Sequence, residues 1–248
     1  MIYLKTNEEI ILMRASNQIV KEALELAEEL VKPGVTTLQL DKSIEEFIRK
    51  KGAIPSFLGY NGFPNSICTS IDDEVVHGIP SAKRYLEEGS IVSIDIGAVK
   101  DGYHGDAART LAVGKISSEK QKLIDITRES FFKGIAKVCD GARLGDIGFE
   151  INDHAVKNGF STVKVLVGHG IGRAMHEEPS IPNYGTRGMG IRIAKGMTLA
   201  IEPMINAGTF EVCVKNDGWT YVTRDGQPSA HYENTIVVTA DGCEVLSL

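Results

Sequence analysis

Apolar residues near the start of the chain recur every three or four positions, the spacing of one helical face. This stripe runs through residues 17–31 and meets a helix-ending Lys-Pro-Gly sequence at Gly34. A second stripe begins with a capping-box pattern, Thr36 with Gln39, and ends at Gly52. From there to about residue 113 the chain is rich in glycine, proline and β-branched residues, which predicts strands and turns.

The same order of elements returns after about residue 117. A helix is predicted through 121–138, followed by a break, a second helix and a stop. Three pairs of glycines lie 107 residues apart: Gly34 and Gly141, Gly52 and Gly159, and Gly89 and Gly196. The repeat predicts two related units, about 15–113 and 117–248. Because such units would share one core, we expect a single domain over 1–248.

Two acids occupy unusual positions in the strand-rich part of the first unit. Asp95 lies inside the apolar run SIVSIDIGAV, and Asp106 follows a KDG turn signal. A turn centred on residues 100 and 101 would place the two carboxylates directly opposite each other. A turn centred on 101 and 102 would make them diagonal neighbours on one face. In either register a cation, or protonation of one acid, is needed to offset their repulsion.

The second unit carries acids in similar settings. Glu202 aligns with Asp95 through the repeat, and Glu233 precedes an apolar β run. His169 is flanked by glycines, and beside four such acids it is best explained as a metal ligand. His77 and His176 lie near turns, where acid–base or substrate-orienting roles are plausible. The remaining histidines, His104, His154 and His231, are interpreted as structural.

Composition narrows the class of protein. The 248 residues carry a net charge of −6, and no basic run supports nucleic-acid binding. No signal peptide and no apolar stretch of spanning length is found. The four cysteines show no CxxC pair, which favours free thiols in a reducing compartment. We therefore expect a cytoplasmic protein without membrane or nucleic-acid binding of its own.

Five segments together resemble a known family. DIGAVKDGYHGDAAR, GHGIGRAMHEEP, LAIEPMI and HYENTIVV, with YNGFPNSICTSIDDEVVHGIP before them, are similar in order and spacing to the methionine aminopeptidases. The chain looks like the short bacterial type I form, without a zinc-finger extension or a large insertion. The resemblance implies the pita-bread fold, an α+β arrangement of two pseudo-two-fold related halves with helices outside a curved antiparallel sheet.

The resemblance also implies the site. Two divalent ions, Co²⁺, Mn²⁺, Fe²⁺ or Zn²⁺, would be held by Asp95, Asp106, His169, Glu202 and Glu233, with Asp106 and Glu233 bridging. An activated water would attack the first peptide bond, with Glu202 as proton shuttle. His176 would stabilise the oxyanion, and His77 would bind the substrate amide. The methionine pocket would comprise Phe57, Tyr60, Phe63, Cys68, Met175 and Trp219, together with His77 and His176.

The expected activity is removal of the N-terminal methionine when the second residue is small. The expected partners are nascent polypeptide N-termini and, transiently, the ribosome, and the expected oligomeric state is a monomer. Two alternatives stay open: a proline-specific aminopeptidase or prolidase of the same fold, and a non-enzymatic binding protein on this scaffold. Creatinase-like chemistry is a third, although it would not need all five ligands.

Overall fold

The computed structural model describes residues 1–248 and contains four long helices and fifteen short or medium strands. The helices are α1 Asn7–Leu30, α2 Thr37–Lys50, α3 Ser118–Ile135 and α4 Leu144–Lys157, with a short 3₁₀ turn at Tyr60–Gly62. The strands are β1 Ile54–Pro55, β2 Ile67–Ile71, β3 Glu74–Val76, β4 Ile91–Lys100, β5 Tyr103–Ala112, β6 Ser161–Thr162, β7 Gly168–Gly170, β8 Glu177–Ile181, β9 Thr198–Ile201, β10 Met204–Asn206, β11 Val212–Val214, β12 Tyr221–Thr223, β13 Ser229–His231, β14 Asn234–Val238 and β15 Cys243–Val245. None of the helices has the length and apolar character needed to cross a bilayer.

Helix α2 follows its sequence signals closely, whereas α1 begins ten residues before the apolar stripe at 17–31. The predicted capping box at the start of α2 is present, with Thr36 and Gln39 bonding to each other's backbone nitrogens. Helix α1 begins at a second capping box, Thr6 with Glu9, which lies before the apolar stripe. Helix α3 ends at Ile135, three residues before the predicted end at Val138, because its last turn tightens into i→i+3 hydrogen bonds.

Strands pair antiparallel in four sheets. Strands β1, β2 and β5 flank β4 in the first unit, and the order in the second unit is β15-β14-β9-β7-β8. Helices α1 and α2 pack on the first of these sheets around a core that includes Ile44 and Ile94. Helices α3 and α4 pack on the second around Phe131 and Leu199. Each unit is therefore a helix pair on one face of a sheet.

Local geometry repeats at the predicted offset of 107. Gly34 donates its amide to Leu86 at 2.8 Å, and Gly141 donates to Ile193 at 2.9 Å. Each glycine has a positive φ, +87° for Gly34 and +91° for Gly141, which an L side chain rarely adopts. These matched hydrogen bonds support the predicted internal repeat. That the two units form one domain over 1–248 stays a prediction.

The β4–β5 hairpin resolves the open question of register. Asp95 pairs with Ala108, and Asp106 pairs with Gly97. The turn is therefore centred on Asp101 and Gly102, both at positive φ as a two-residue hairpin turn requires. The alternative in which the two acids face each other directly is wrong, and the diagonal alternative is confirmed. Both carboxylates still share one face of the hairpin.

A buried ion pair ties the N-terminal segment to the second unit. The Lys5 amide donates to Gly196, and Lys5 Nζ lies 2.5 Å from Glu177 Oε2. The two side chains are only 4% and 9% exposed. Glu177 also accepts a hydrogen bond from the Ala174 amide, so the pair holds the loop that carries Met175 and His176.

We expect Lys5→Met to destabilise the protein by about 3–5 kcal/mol, because it leaves the Glu177 carboxylate buried without its partner. The matched control is Arg14→Met, which breaks an exposed pair with Glu244 whose side chains are 48% and 42% exposed. That change should cost no more than about 1 kcal/mol. Urea unfolding measures both values. Equal costs for the two variants would contradict the structural role given to Lys5.

Candidate metal centre

One cavity of about 190 Å³ brings together every residue that the sequence analysis assigned to a site. Its lining consists of Phe57, Tyr60, Asn61, Phe63, Cys68, His77, Asp95, Asp106, His169, Met175, His176, Glu202, Trp219 and Glu233. Thirteen of these fourteen were predicted, and Asn61 was not. The cavity has an acidic end and an apolar end.

The acidic end is built where the two units meet. Ala108 and Glu233 exchange backbone hydrogen bonds at 3.0 and 3.3 Å, which joins β5 to the segment before β14. Beside them, Thr235 Oγ1 donates to the Asp106 carbonyl at 2.9 Å and accepts from the Asp106 amide at 3.2 Å. These contacts fix the backbone under Asp106 and Glu233, which lie 127 residues apart in the sequence.

The side chains converge at distances suited to a shared cation. Ligand atoms of Asp106, His169 and Glu233 all lie within 4.8 Å of one another. His169 Nε2 is 3.7 Å from Asp106 Oδ2 and 3.7 Å from Glu202 Oε1. One carboxylate oxygen each of Asp95, Asp106 and Glu233 is buried without a hydrogen-bond partner. Buried polar atoms without partners are rare, and here they belong to three residues that line the same cavity.

Burial and charge repulsion make this cluster of carboxylates unfavourable as long as no cation balances their charge. Burial raises the pKa of all four carboxyl groups, Asp95, Asp106, Glu202 and Glu233. Repulsion between neighbouring carboxylates adds to the rise in pKa at Asp106 and Glu233. The cluster must therefore bind protons or metal ions at neutral pH.

His169 has the geometry of a metal ligand. Its Nδ1 lies 2.9 Å from the Gly170 carbonyl oxygen, to which it can only donate. Burial lowers the pKa of His169 to about 3, so the ring is neutral and its one hydrogen is on Nδ1. Nε2 then carries a lone pair and lies 3.7 Å from Asp106 Oδ2 and from Glu202 Oε1, and metal-binding histidines commonly donate their other ring N–H to a carbonyl in this way.

Two further histidines stand at the rim of the acidic end. Burial lowers the pKa of His77 to about 4, so its ring is neutral. The backbone of His77 has φ +60°, an uncommon value for a side-chain-bearing residue and one that clusters at functional sites. His176 Nδ1 is 2.7 Å from the Tyr60 hydroxyl. With that hydroxyl as donor, the hydrogen of the neutral His176 ring is on Nε2.

The other end of the cavity is a small apolar pocket. Phe57, Phe63, Cys68 and Met175 are each less than 10% exposed and pack together. The Trp219 indole meets Phe63 edge to face, with ring centroids 5.2 Å apart. Cys68 pairs with Asp95 across β2 and β4, so the apolar pocket adjoins the acids directly.

Two residues near the site were not foreseen. Asn61 lines the cavity at φ +48° within the turn at Tyr60–Gly62, where the sequence shows only a turn-forming Tyr-Asn-Gly. His231 was interpreted as structural, yet its Nε2 lies 3.6 Å from Glu202 Oε2 and 3.8 Å from Glu233 Oε2. Its position two residues before Glu233, on the same side of an extended segment, is the signal that could have found it.

The remaining histidines have ordinary contacts. His104 Nδ1 bonds to the Ser56 hydroxyl at 2.8 Å, and His154 on α4 bonds to Glu129 at 2.9 Å. Neither lines the cavity.

Comparison with known proteins supports this picture. The model of metallopeptidase family M24 matches residues 11–240. The methionine aminopeptidase of Clostridium acetobutylicum is 53% identical over 248 residues, covering 100% of this chain and 99% of its own length. Methionine aminopeptidase 1 of Bacillus subtilis is 48% identical over 247 residues, covering 100% of this chain and 99% of its own length.

A solved structure extends the similarity to three dimensions. The crystal structure of methionine aminopeptidase from Rickettsia prowazekii matches with a TM-score of 0.98 at 45% identity, covering 100% of both chains. The predicted fold, two related halves with helices outside antiparallel sheet, is confirmed. The chain belongs to metallopeptidase family M24 and, within it, to the methionine aminopeptidases.

Proposed function

We propose that the chain removes the N-terminal methionine from proteins and peptides whose second residue is small. The observation that carries the proposal is the single cavity that holds four acids and a histidine at one end and an apolar pocket at the other. The first end suits hydrolysis assisted by metal, and the second suits a methionine side chain. The full-length relatives are methionine aminopeptidases.

The donor set fits divalent metal ions. We propose that Asp95, Asp106, His169, Glu202 and Glu233 would hold two divalent ions. Unpartnered oxygens on Asp95, Asp106 and Glu233 support this, because a buried carboxylate oxygen without a hydrogen bond can serve as a ligand atom. An oxygen-rich set with one imidazole suits Mn²⁺, Fe²⁺ or Co²⁺, and Zn²⁺ less exclusively. Bound there, such ions would supply an activated water near neutral pH and polarise the scissile carbonyl.

The residues around the acids would position the substrate and move protons. Glu202, whose carboxyl group lines the cavity, would carry a proton from the attacking water to the leaving amide nitrogen. His176 would donate Nε2–H to the developing oxyanion, with its ring oriented by the Tyr60 hydroxyl. His77, whose ring meets the Tyr221 ring edge to face with centroids 5.9 Å apart, would bind the substrate amide.

The apolar pocket would select the first residue of the substrate. Sulfur and aromatic groups attract each other, so a thioether fits between Phe57, Phe63 and Trp219 better than a branched chain of similar volume. The free amine would lie beside the acids, because Cys68 of the pocket adjoins Asp95. This geometry favours removal of one residue from a chain end.

Further expectations belong to this proposal. Nascent polypeptide N-termini would be the substrates, and contact with the ribosome would be transient. We propose a cytoplasmic monomer that folds as one domain over 1–248. Proline-specific cleavage and a purely binding role are not favoured, since the relatives that match over the full length are methionine aminopeptidases.

The proposal is tested by stripping the purified protein with a chelator and restoring Mn²⁺, Fe²⁺ or Co²⁺ separately. Met-Ala-Ser, Met-Leu-Ser and Ala-Pro-Ser peptides are then offered together. We expect metal-dependent release of methionine from Met-Ala-Ser, at least about tenfold slower release from Met-Leu-Ser, and no cleavage of Ala-Pro-Ser. Cleavage of Ala-Pro-Ser would favour the proline-specific alternative. Absence of all cleavage by folded protein with every metal would favour a binding role.

We expect His77→Ala and His176→Ala to keep the metal content of the wild type while turnover of Met-Ala-Ser falls by about 10²-fold or more. Both rings are proposed to contact substrate rather than metal, so metal content and turnover should separate. His154→Ala on α4 is the matched control and should leave both quantities unchanged. Metal content is measured by elemental analysis after desalting. A variant that lost metal would show that the ring is a ligand.

A further inference from the structure

His231 is fixed by its backbone but has no partner for its ring. Its amide donates to Thr110 Oγ1 at 2.8 Å, and its carbonyl accepts from the same hydroxyl at 2.9 Å. The residue is 2% exposed, and both ring nitrogens lack a hydrogen-bond partner. A buried imidazole without a partner costs free energy, so a fold that keeps one here requires an explanation.

The ring is aimed at the acidic cluster. Nε2 is 3.6 Å from Glu202 Oε2 and 3.8 Å from Glu233 Oε2, just beyond hydrogen-bond distance. A movement of about 0.7 Å at the Glu202 carboxylate would bring it to an ordinary N–H···O distance. No hydrogen bond restrains the Glu202 carboxylate itself, while its backbone carbonyl accepts from Asn183 Nδ2 at 2.9 Å.

His169, the other candidate hydrogen-bond donor to Glu202, already uses its ring N–H elsewhere. His169 and His231 are the two basic side chains within 4.0 Å of the Glu202 carboxylate. His169 uses its ring hydrogen on the Gly170 carbonyl, so its Nε2 has a lone pair and cannot donate to Glu202. Only His231 can present an N–H to this carboxylate. With metal bound and Glu202 ionised, the carboxylate would itself favour the Nε2–H form of the ring, since a lone pair facing it would be repelled.

We propose that His231 is a positioning residue of the metal centre, whose Nε2–H donates to Glu202 Oε2 and holds that carboxylate in the orientation that binds metal. The inference rests on the proposed metal site and deepens it. Hydrogen-bonding partners of ligating carboxylates orient them, and loss of such a partner typically weakens metal affinity 10–100-fold.

The test compares His231→Gln with His231→Leu. Glutamine keeps an N–H donor at a similar reach from the backbone, whereas leucine keeps bulk without a donor. Mn²⁺ affinity of the chelator-stripped protein is measured by calorimetry in competition with a weak chelator. We expect affinity to fall about 10–100-fold in His231→Leu and to stay close to wild type in His231→Gln. His154→Leu, the matched control on α4, should bind Mn²⁺ as the wild type does.

Other results would overturn the inference. Wild-type affinity in both His231 variants would show that the ring does not support Glu202. Equal loss in both would show that the imidazole itself binds the metal. Failure of the wild type to bind Mn²⁺ at all would instead refute the proposed metal site, so the two failures can be told apart.

A measurement on the wild type covers the case in which His231→Leu does not fold. Protein labelled with ¹⁵N at histidine is titrated with Zn²⁺, which is diamagnetic, and the ring nitrogens are followed by NMR. We expect His231 Nε2 to stay protonated, with a slowly exchanging hydrogen once Zn²⁺ is present. Loss of the proton from that nitrogen on adding Zn²⁺ would overturn the donor role.

Discussion

Four carboxyl groups, Asp95, Asp106, Glu202 and Glu233, converge on a cavity of about 190 Å³, where the side chains of Asp106, Glu202 and Glu233 are 4%, 13% and 2% exposed. Burial and mutual repulsion raise the pKa of Asp106 and Glu233, so the arrangement opposes folding while it remains uncompensated. The fold nevertheless forces it, because backbone bonds between Ala108 and Glu233 join the two units at this point. A cation shared between the acids would turn this repulsion into binding energy.

The surrounding structure serves to keep the acids where they are. Each unit contributes a sheet backed by two helices, and the proposed ligand residues lie on β4, β5 and β7 or directly beside β9 and β14. Side chains on strands are placed more rigidly than side chains on long loops. The rim is built differently: His77 has a strained backbone, and the loop that carries His176 is held by the buried ion pair of Glu177 with Lys5. Side chains fixed on strands and a separately anchored loop beside them suit a site that must hold its groups in one arrangement.

Much of the fold could be predicted because the helix-ending glycines of the two units recur at the spacing of the internal repeat. The paired glycines, Gly34 with Gly141 among them, take the positive φ that their sequence positions suggested, and Asp95 was conspicuous because an acid within an apolar run needs a partner. The hairpin register could not be decided, since Lys-Asp-Gly is compatible with two turn centres that differ by one position. His231 escaped notice because its significance depends on Glu202, which is close only through folding. Asn61 likewise gives no chemical signal in a turn sequence.

The proposed function depends on divalent metal ions that bind between the acids, and anomalous diffraction shows directly whether they bind there. Crystals of the protein soaked in Mn²⁺ would be measured at a wavelength where manganese scatters anomalously. We predict two peaks within the cavity, both in contact with Asp106 and Glu233, with His169 Nε2 bound to one of them. A map without peaks among these side chains, from crystals that bind Mn²⁺ elsewhere or not at all, would contradict the account.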